Sequence, residues 1–274
     1  MKKNFFLSCF MLLPLFCYGQ QQQPPNLESN IKLLFASNTF DVRDKPFFFN
    51  GNNLLIIDDR KMFILPVKDT TEALYAGFLP DNIHNVEQVA YSGGNIFIKN
   101  ESNIIQLKDT TASLFMKMPN ENFSIYPADE KSLFVVINQS NNFELFRIDA
   151  ATGNPTKLIS SPEQITNVIG SSDKTIISIG NDIFLLQDEK TVLIHHNKTP
   201  IKSLTGSEYG LFIASEEGLS YLCLPFLVVP VIKEDTQKVV CAGNIVIVLL
   251  KDGRVLEIDN ANSFENRIRA FVNK

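Results

Sequence analysis

Lys68-Asp69-Thr70-Thr71-Glu72-Ala73-Leu74-Tyr75 recurs as Lys108-Asp109-Thr110-Thr111-Ala112-Ser113-Leu114-Phe115, an offset of 40 residues (68 to 108). Self-similarity at a fixed period is the first thing to test in a new chain, because it decides the architecture. Outward from this pair the period continues. Short apolar strands are expected to start at Leu54, Ile96, Leu133, Thr175, Leu211 and Ile245, every 34 to 42 residues. Each follows a turn-forming cluster, such as Asn50-Gly51-Asn52-Asn53, Ser92-Gly93-Gly94-Asn95 or Ala242-Gly243-Asn244. A second strand then ends in an apolar-x-x-apolar signature: Met62 to Leu65, Ile104 to Leu107, Leu145 to Ile148, Ile183 to Leu186, Leu219 to Leu222 and Val255 to Ile258. The link between them is polar, and Asp252-Gly253 is a hairpin signal because Gly takes positive φ readily.

Two more strands complete each unit. A third is predicted at Ala73 to Tyr75, Ser113 to Met116, Lys157 to Ile159 and Val192 to Ile194. A fourth precedes the next turn cluster, as in Val86 to Tyr91, Ile165 to Ile169 and Val239 to Cys241. One such sheet cannot hide both apolar faces from water, whereas copies stacked around an axis bury every face against a neighbour. The predicted fold is therefore an all-β β-propeller of six four-stranded blades, with seven if the chain ends contribute more than one strand. A β-sandwich would give alternating strands but no reason for the repeat. Ile31 to Ala36 is left over before the first unit and is expected to join the last blade as an outer strand, closing the ring. Phe47-Phe48-Phe49 is expected on an innermost strand, in the core.

The pattern of turn, apolar strand, polar turn and strand ending in Leu or Ile resembles the units of six-bladed propellers of the NHL or YWTD kind. The resemblance covers Ile31 to the C-terminus. The Tyr-Trp-Thr-Asp signature is absent and the chain has no Trp, so no family's functional residues carry over.

The N-terminus reads as an export signal. Met1-Lys2-Lys3 is followed by the apolar run Phe5 to Phe16, too short for the ~20 residues of a membrane span. Cleavage after Gly19 would make Gln20 the new N-terminus, giving a signal peptide over 1–19 and a secreted or periplasmic chain. A lipid anchor at Cys17 is the alternative, against which stands the bulky Phe16 before it. Residues 20–30, with Gln20 to Gln23, Pro24 and Pro25, read as a flexible linker, and 31–274 as a single propeller domain. The mature chain is expected to have no transmembrane span. Net charge is −5, more negative once Lys2 and Lys3 leave. No basic cluster is present, which argues against a nucleic-acid partner.

Chemistry leaves few traces. G-x-G-x-x-G, P-loop, H-E-x-x-H, C-x-x-C and G-x-S-x-G patterns are all missing. The histidines are His84, His195 and His196. The last two are neighbours that a strand would point to opposite faces. Asp58-Asp59 and Glu216-Glu217 fall in corresponding turns, on one rim, and read as solvated turns ahead of a calcium site. No catalytic residue, metal ligand or cofactor is predicted. The innermost strands are expected to bring Glu87, Gln88, Ser124, Thr166, Asn167 and Lys202 to the hub. A Cys223–Cys241 bridge is not expected: the two lie on different strands of adjacent blades, so both should be buried free thiols.

Leu224, Pro225, Phe226, Leu227, Val228, Val229 and Pro230 form the expected partner surface. Two prolines keep the stretch out of a central strand, so it should lie at a blade's outer edge. The alternative is that a neighbouring blade or the N-terminal segment covers it. The function expected is an exported, non-catalytic scaffold that binds a protein or small ligand. Two alternatives stand: a metal-assisted hydrolase or lactonase acting at the axial channel, and a subunit of a cell-envelope or secretion assembly.

Overall fold

In a computed structural model, the residues described are 31–35, 41–67, 74–81, 83–108, 111–129, 131–140, 142–170, 174–187, 190–207, 210–223, 227–259 and 261–272. The expected signal peptide and linker, the first repeat anchor up to Ala73, and Leu224, Pro225 and Phe226 lie outside them. Strand β1 spans Ile31–Phe35. Blade one holds β2 (Phe47–Phe49), β3 (Asn53–Asp58), β4 (Lys61–Pro66) and β5 (Leu74–Phe78). Blade two holds β6 (Val86–Ser92), β7 (Asn95–Asn100), β8 (Asn103–Lys108) and β9 (Thr111–Lys117). Blade three holds β10 (Phe123–Pro127), β11 (Ser132–Gln139), β12 (Asn142–Asp149) and β13 (Pro155–Ser161). Blade four holds β14 (Ile165–Gly170), β15 (Thr175–Ile179), β16 (Asp182–Gln187) and β17 (Lys190–His196). Blade five holds β18 (Ser203–Gly206), β19 (Gly210–Ser215), β20 (Gly218–Cys223) and β21 (Leu227–Ile232). Blade six holds β22 (Thr236–Ala242), β23 (Ile245–Leu250) and β24 (Val255–Ile258), followed by helix α1 (Ala261–Val272).

Every sheet is antiparallel with four strands. The first strand of each blade is innermost, and these six touch their neighbours in a closed ring. Blade six takes its outer strand from the other end of the chain: β1 pairs with β24, Ile31 opposite Ile258 and Leu33 opposite Leu256. The fold is thus the six-bladed propeller that the repeat predicts, closed as the leftover strand predicts.

The core divides as the packing argument requires. Six clusters of buried apolar residues each bridge one seam between adjacent blades. Phe47 and Phe49, for example, meet Ile245, Ile247 and Leu249 of blade six, with Leu34 of β1 closing the same cluster. Central strands β19 and β23 are buried at every position. That explains near-continuous apolar runs where a one-sided sheet would alternate.

One structural repeat has no distinctive residue in the sequence. Each outer strand carries a β-bulge against its neighbour, with the extra residue at Leu34, Ala76, Phe115, Leu158, Ile194 or Val231. A bulge twists an edge strand and so discourages pairing with another sheet. Gly218, which opens β20, is fixed by its backbone: φ is +125°, and a Cβ there would lie 2.0 Å from the Ile232 carbonyl oxygen.

Helix α1 is absent from the sequence reading. Ala261, Phe264 and Ile268 recur at i, i+3 and i+7 and are all buried. They cap the cluster between blades five and six. The two described cysteines form no disulfide, but only Cys223 is buried; Cys241 is partly exposed. That corrects the expectation for Cys241: an innermost strand has one side open to the axis.

Candidate functional site: the axial channel and the outer edge

The innermost strands enclose a channel of about 690 Å³. Its wall runs from Lys45, Glu87, Lys202 and Gln237 near the starts of those strands to Asn50, Tyr91, Pro127 and Ala242 at their ends. An inner strand has no sheet neighbour on the axial side, so its backbone groups need partners of another kind. Side chains of the preceding blade supply several. Gln88 Oε1 accepts a bond from the Ile125 amide at 2.8 Å. The Tyr126 hydroxyl donates to the Thr166 carbonyl at 2.9 Å. Ser203 Oγ accepts from the Val239 amide at 3.1 Å, and Thr205 Oγ1 from the Cys241 amide at 3.2 Å. Lys238 Nζ donates to the Phe47 carbonyl at 3.2 Å. Between blades one and two, Phe48 and Tyr91 stack with centroids 5.6 Å apart and planes 3° from parallel. The hub's polar residues thus tie blade to blade.

The mouth is asymmetric by blade. In blades two, four and six the inner strand carries a bulge near its start, at Glu87, Thr166 and Gln237. In blades one, three and five it pairs without a break. A bulge re-aims the side chains beside it, and the residues just after these three, Gln88, Asn167 and Lys238, all line the channel. Around the mouth, charges are tied in pairs. Lys45 bonds Asp58. Glu87 lies 2.5 Å from Lys99. Lys202 and Lys251 share Asp235, at 2.5 and 3.2 Å. All three groupings account for sequence-singled residues: Asp58, Glu87 and Lys202.

Lys238 differs from these. Its Nζ sits 3.9 Å from the centroid of the Phe47 ring, and among the described residues no carboxylate lies in ion-pair range. Burial pushes its ammonium down to about 8. Desolvation by the crowded inner strands acts the opposite way on Tyr126 and on the partly exposed Cys241, each pushed up to about 12; the Cys241 thiol is therefore a poor nucleophile at neutral pH. Between pH 8 and about 10.5 the unfolded chain holds a proton at Lys238 that the fold releases. Lys238 therefore makes stability rise with pH across that window. Cys241 does the reverse above pH 9. Urea midpoints of wild type and Lys238→Met at pH 7.5 and 9.5 separate the two. Wild type should gain more, or lose less, than the variant over that interval, and equal changes would refute the assignment.

The remaining sequence-singled residues do not converge. His84 is exposed in the link before β6, its amide bonded to Asn100 Oδ1 at 3.0 Å. His196 is exposed and its Nδ1 lies 2.6 Å from Asp182; His195, half-buried, is held below the usual histidine range by desolvation. Glu216 and Glu217 are exposed in the β19–β20 turn. Among the described residues no three His, Cys, Asp or Glu side chains group closely enough to hold a metal. Ser124 lines a separate polar recess of about 250 Å³ with Lys99, Glu121 and Gln164. On the outer edge, the stretch from Leu227 to Pro230 falls in β21, outermost in blade five. Val228 and Pro230 are exposed, Leu227 is half-buried and Val229 is core. No described helix is long and apolar enough to cross a membrane.

The chain is thus a six-bladed β-propeller with a polar-mouthed channel, and comparison with solved structures places it among proteins of that fold. It is similar to virginiamycin B lyase from Staphylococcus aureus, with a TM-score of 0.58, 11% identity, and coverage of 84% of this chain and 98% of that one. It is similar to the extracellular domain of a one-component system from B. thetaiotaomicron, with a TM-score of 0.54, 12% identity, and coverage of 77% and 32%. It is also similar to PorZ, a bacterial surface component of the type-IX secretion system of Porphyromonas gingivalis, with a TM-score of 0.50, 13% identity, and coverage of 82% and 37%. This chain spans about a third of the length of those last two. No family model and no curated protein matches the sequence.

Proposed function

We propose that the chain is an exported propeller that acts by binding a protein partner or ligand and does no chemistry of its own. The observation that carries this reading is where its exposed apolar side chains stand. Six of the seven large ones among the described residues, Leu33, Phe78, Leu114, Val192, Leu193 and Val228, lie on outer strands of five blades. One exposed hydrophobe is ordinary; the same choice in five blades gives a circumference suited to contact. Val228 and Pro230, from the stretch the sequence singled out, are its fifth-blade part, with Leu227 half-buried beside them and Val229 turned into the core; Leu224, Pro225 and Phe226 lie outside the described residues. Export rests on the Lys2-Lys3 start, the Phe5 to Phe16 run and the Gly19 cleavage position, and N-terminal sequencing of the mature protein should read from Gln20.

A narrower form of the reading is a subunit of a cell-envelope or secretion assembly. Its support is fold-level likeness to PorZ, an analogy. Site-specific photo-crosslinking in the native host tests the surface. A benzophenone amino acid at Phe78, Leu114 or Leu193 should give an adduct of one discrete mass, and the same residue at Glu216, on the rim, should give none. No adduct at any outer-strand position would sink the proposal.

A further inference from the structure

We infer that the axial channel binds a small aromatic organic anion, a carboxylate or sulfonate, with the Lys238 ammonium as its counter-charge. The inference is independent of the outer-strand reading. At about 690 Å³ the space falls within the range of small-molecule pockets, roughly 300–1,000 Å³. Its charge runs against that of the chain. The lining carries Arg43, Lys45, Lys202 and Lys238 against Asp44 and Glu87, in a protein of net charge −5. A cleft of one sign with low-dielectric walls concentrates ions of the other.

Lys238 is where that charge is available. Lys45 and Lys202 are each held by a carboxylate, Asp58 and Asp235. The contacts of Lys238 Nζ among the described residues are neutral: the Phe47 carbonyl and the Phe47 ring. An ammonium has three N–H donors, and the carbonyl uses one. Enclosing such a cation without an anion is unfavourable, and an anion entering the channel relieves it. The stacked pair of Phe48 and Tyr91 gives the same space an aromatic wall, which suits a ring on the ligand.

The probe is 8-anilinonaphthalene-1-sulfonate, an aromatic sulfonate whose fluorescence rises in apolar surroundings. It should bind the full chain with one-to-one stoichiometry. Benzoate should displace it, and benzyl alcohol at the same concentration should not. Lys238→Met should weaken dye binding about tenfold, the usual scale of one charge-assisted contact, and Lys238→Arg should keep it within about threefold of wild type. Unchanged binding by Lys238→Met, displacement by benzyl alcohol as good as by benzoate, or no dye binding at all would overturn the inference. Dye on the outer strands would give the first of these. If Lys238→Met fails to fold, the benzoate and benzyl alcohol pair decides the matter on wild type.

Discussion

A chain begun at residue 36, lacking β1, should melt roughly 10 °C or more below one begun at Gln20. β1 contributes four register pairs against β24 and the buried side chain of Leu34. At about 1 kcal/mol for each ladder hydrogen bond and about 2 kcal/mol for the leucine, the loss is roughly 4–6 kcal/mol. A domain's whole stability is commonly about 5–15 kcal/mol. At the size of this chain each kcal/mol moves the melting point by about 2–4 °C. The loss is also placed where it does most harm. Val255, Leu256 and Ile258 on β24 are buried with β1 present, so its removal turns a covered strand into an apolar sheet edge that invites aggregation. A peptide covering residues 26–41 should restore most of the melting temperature in trans, and a scrambled one should not. A truncated chain melting within about 2 °C of the longer one would mean that the ring needs no closure by this strand.

What the sequence made legible follows from what repeats. Leu54, Ile96, Leu133, Thr175 and Leu211 sit at equivalent places, and Ile245 one residue before the equivalent Val246, because every blade faces the same problem, two apolar faces to hide, and each solves it with the same run. The leftover strand at Ile31 was readable for the same reason: a ring of equal units has one open seam, and only a strand without a unit can fill it. Bulges were not readable, since Leu34, Ala76, Phe115, Leu158, Ile194 and Val231 share a position but no distinctive residue, only the apolar character of the strands around them. The hub was legible in part. Gln88, Thr166 and Asn167 could be assigned to inner strands, but Lys238 could not be matched to Phe47, because that contact spans 191 residues and exists only once blade six meets blade one. Nor could the outer edge be sorted residue by residue: Val228 faces out and Val229 in, a choice set by the register of β21 on β20.

Replacing Phe264 with Ala should cost about 3–5 kcal/mol, the range for removing a fully enclosed ring, and lower the melting point by about 10 °C. Phe264 is 0% exposed, and its ring meets that of Tyr221, also 0% exposed, at 5.4 Å between centroids and 67° between planes. Tyr221 in turn packs on Phe212 at 4.9 Å, so the anchor of α1 is continuous with the centre of blade five. A twelve-residue helix does not hold itself in water; what holds α1 is this seat, with Ala261 and Ile268 beside it. The segment hid in the sequence because its apolar positions are separated by polar or charged ones, such as Glu265, Arg267 and Arg269, and because it lies beyond the last repeat. Arg267, exposed at the flank of the helix, is the control: Arg267→Ala should change stability by no more than about 0.5 kcal/mol. A double-mutant cycle of Phe264→Ala with Tyr221→Leu should return a coupling of about 0.5–1.5 kcal/mol, the scale of an edge-to-face aromatic pair. If Phe264→Ala costs less than about 1 kcal/mol by urea denaturation, the seam between blades five and six is held by its strands alone and the helix is an ornament on it.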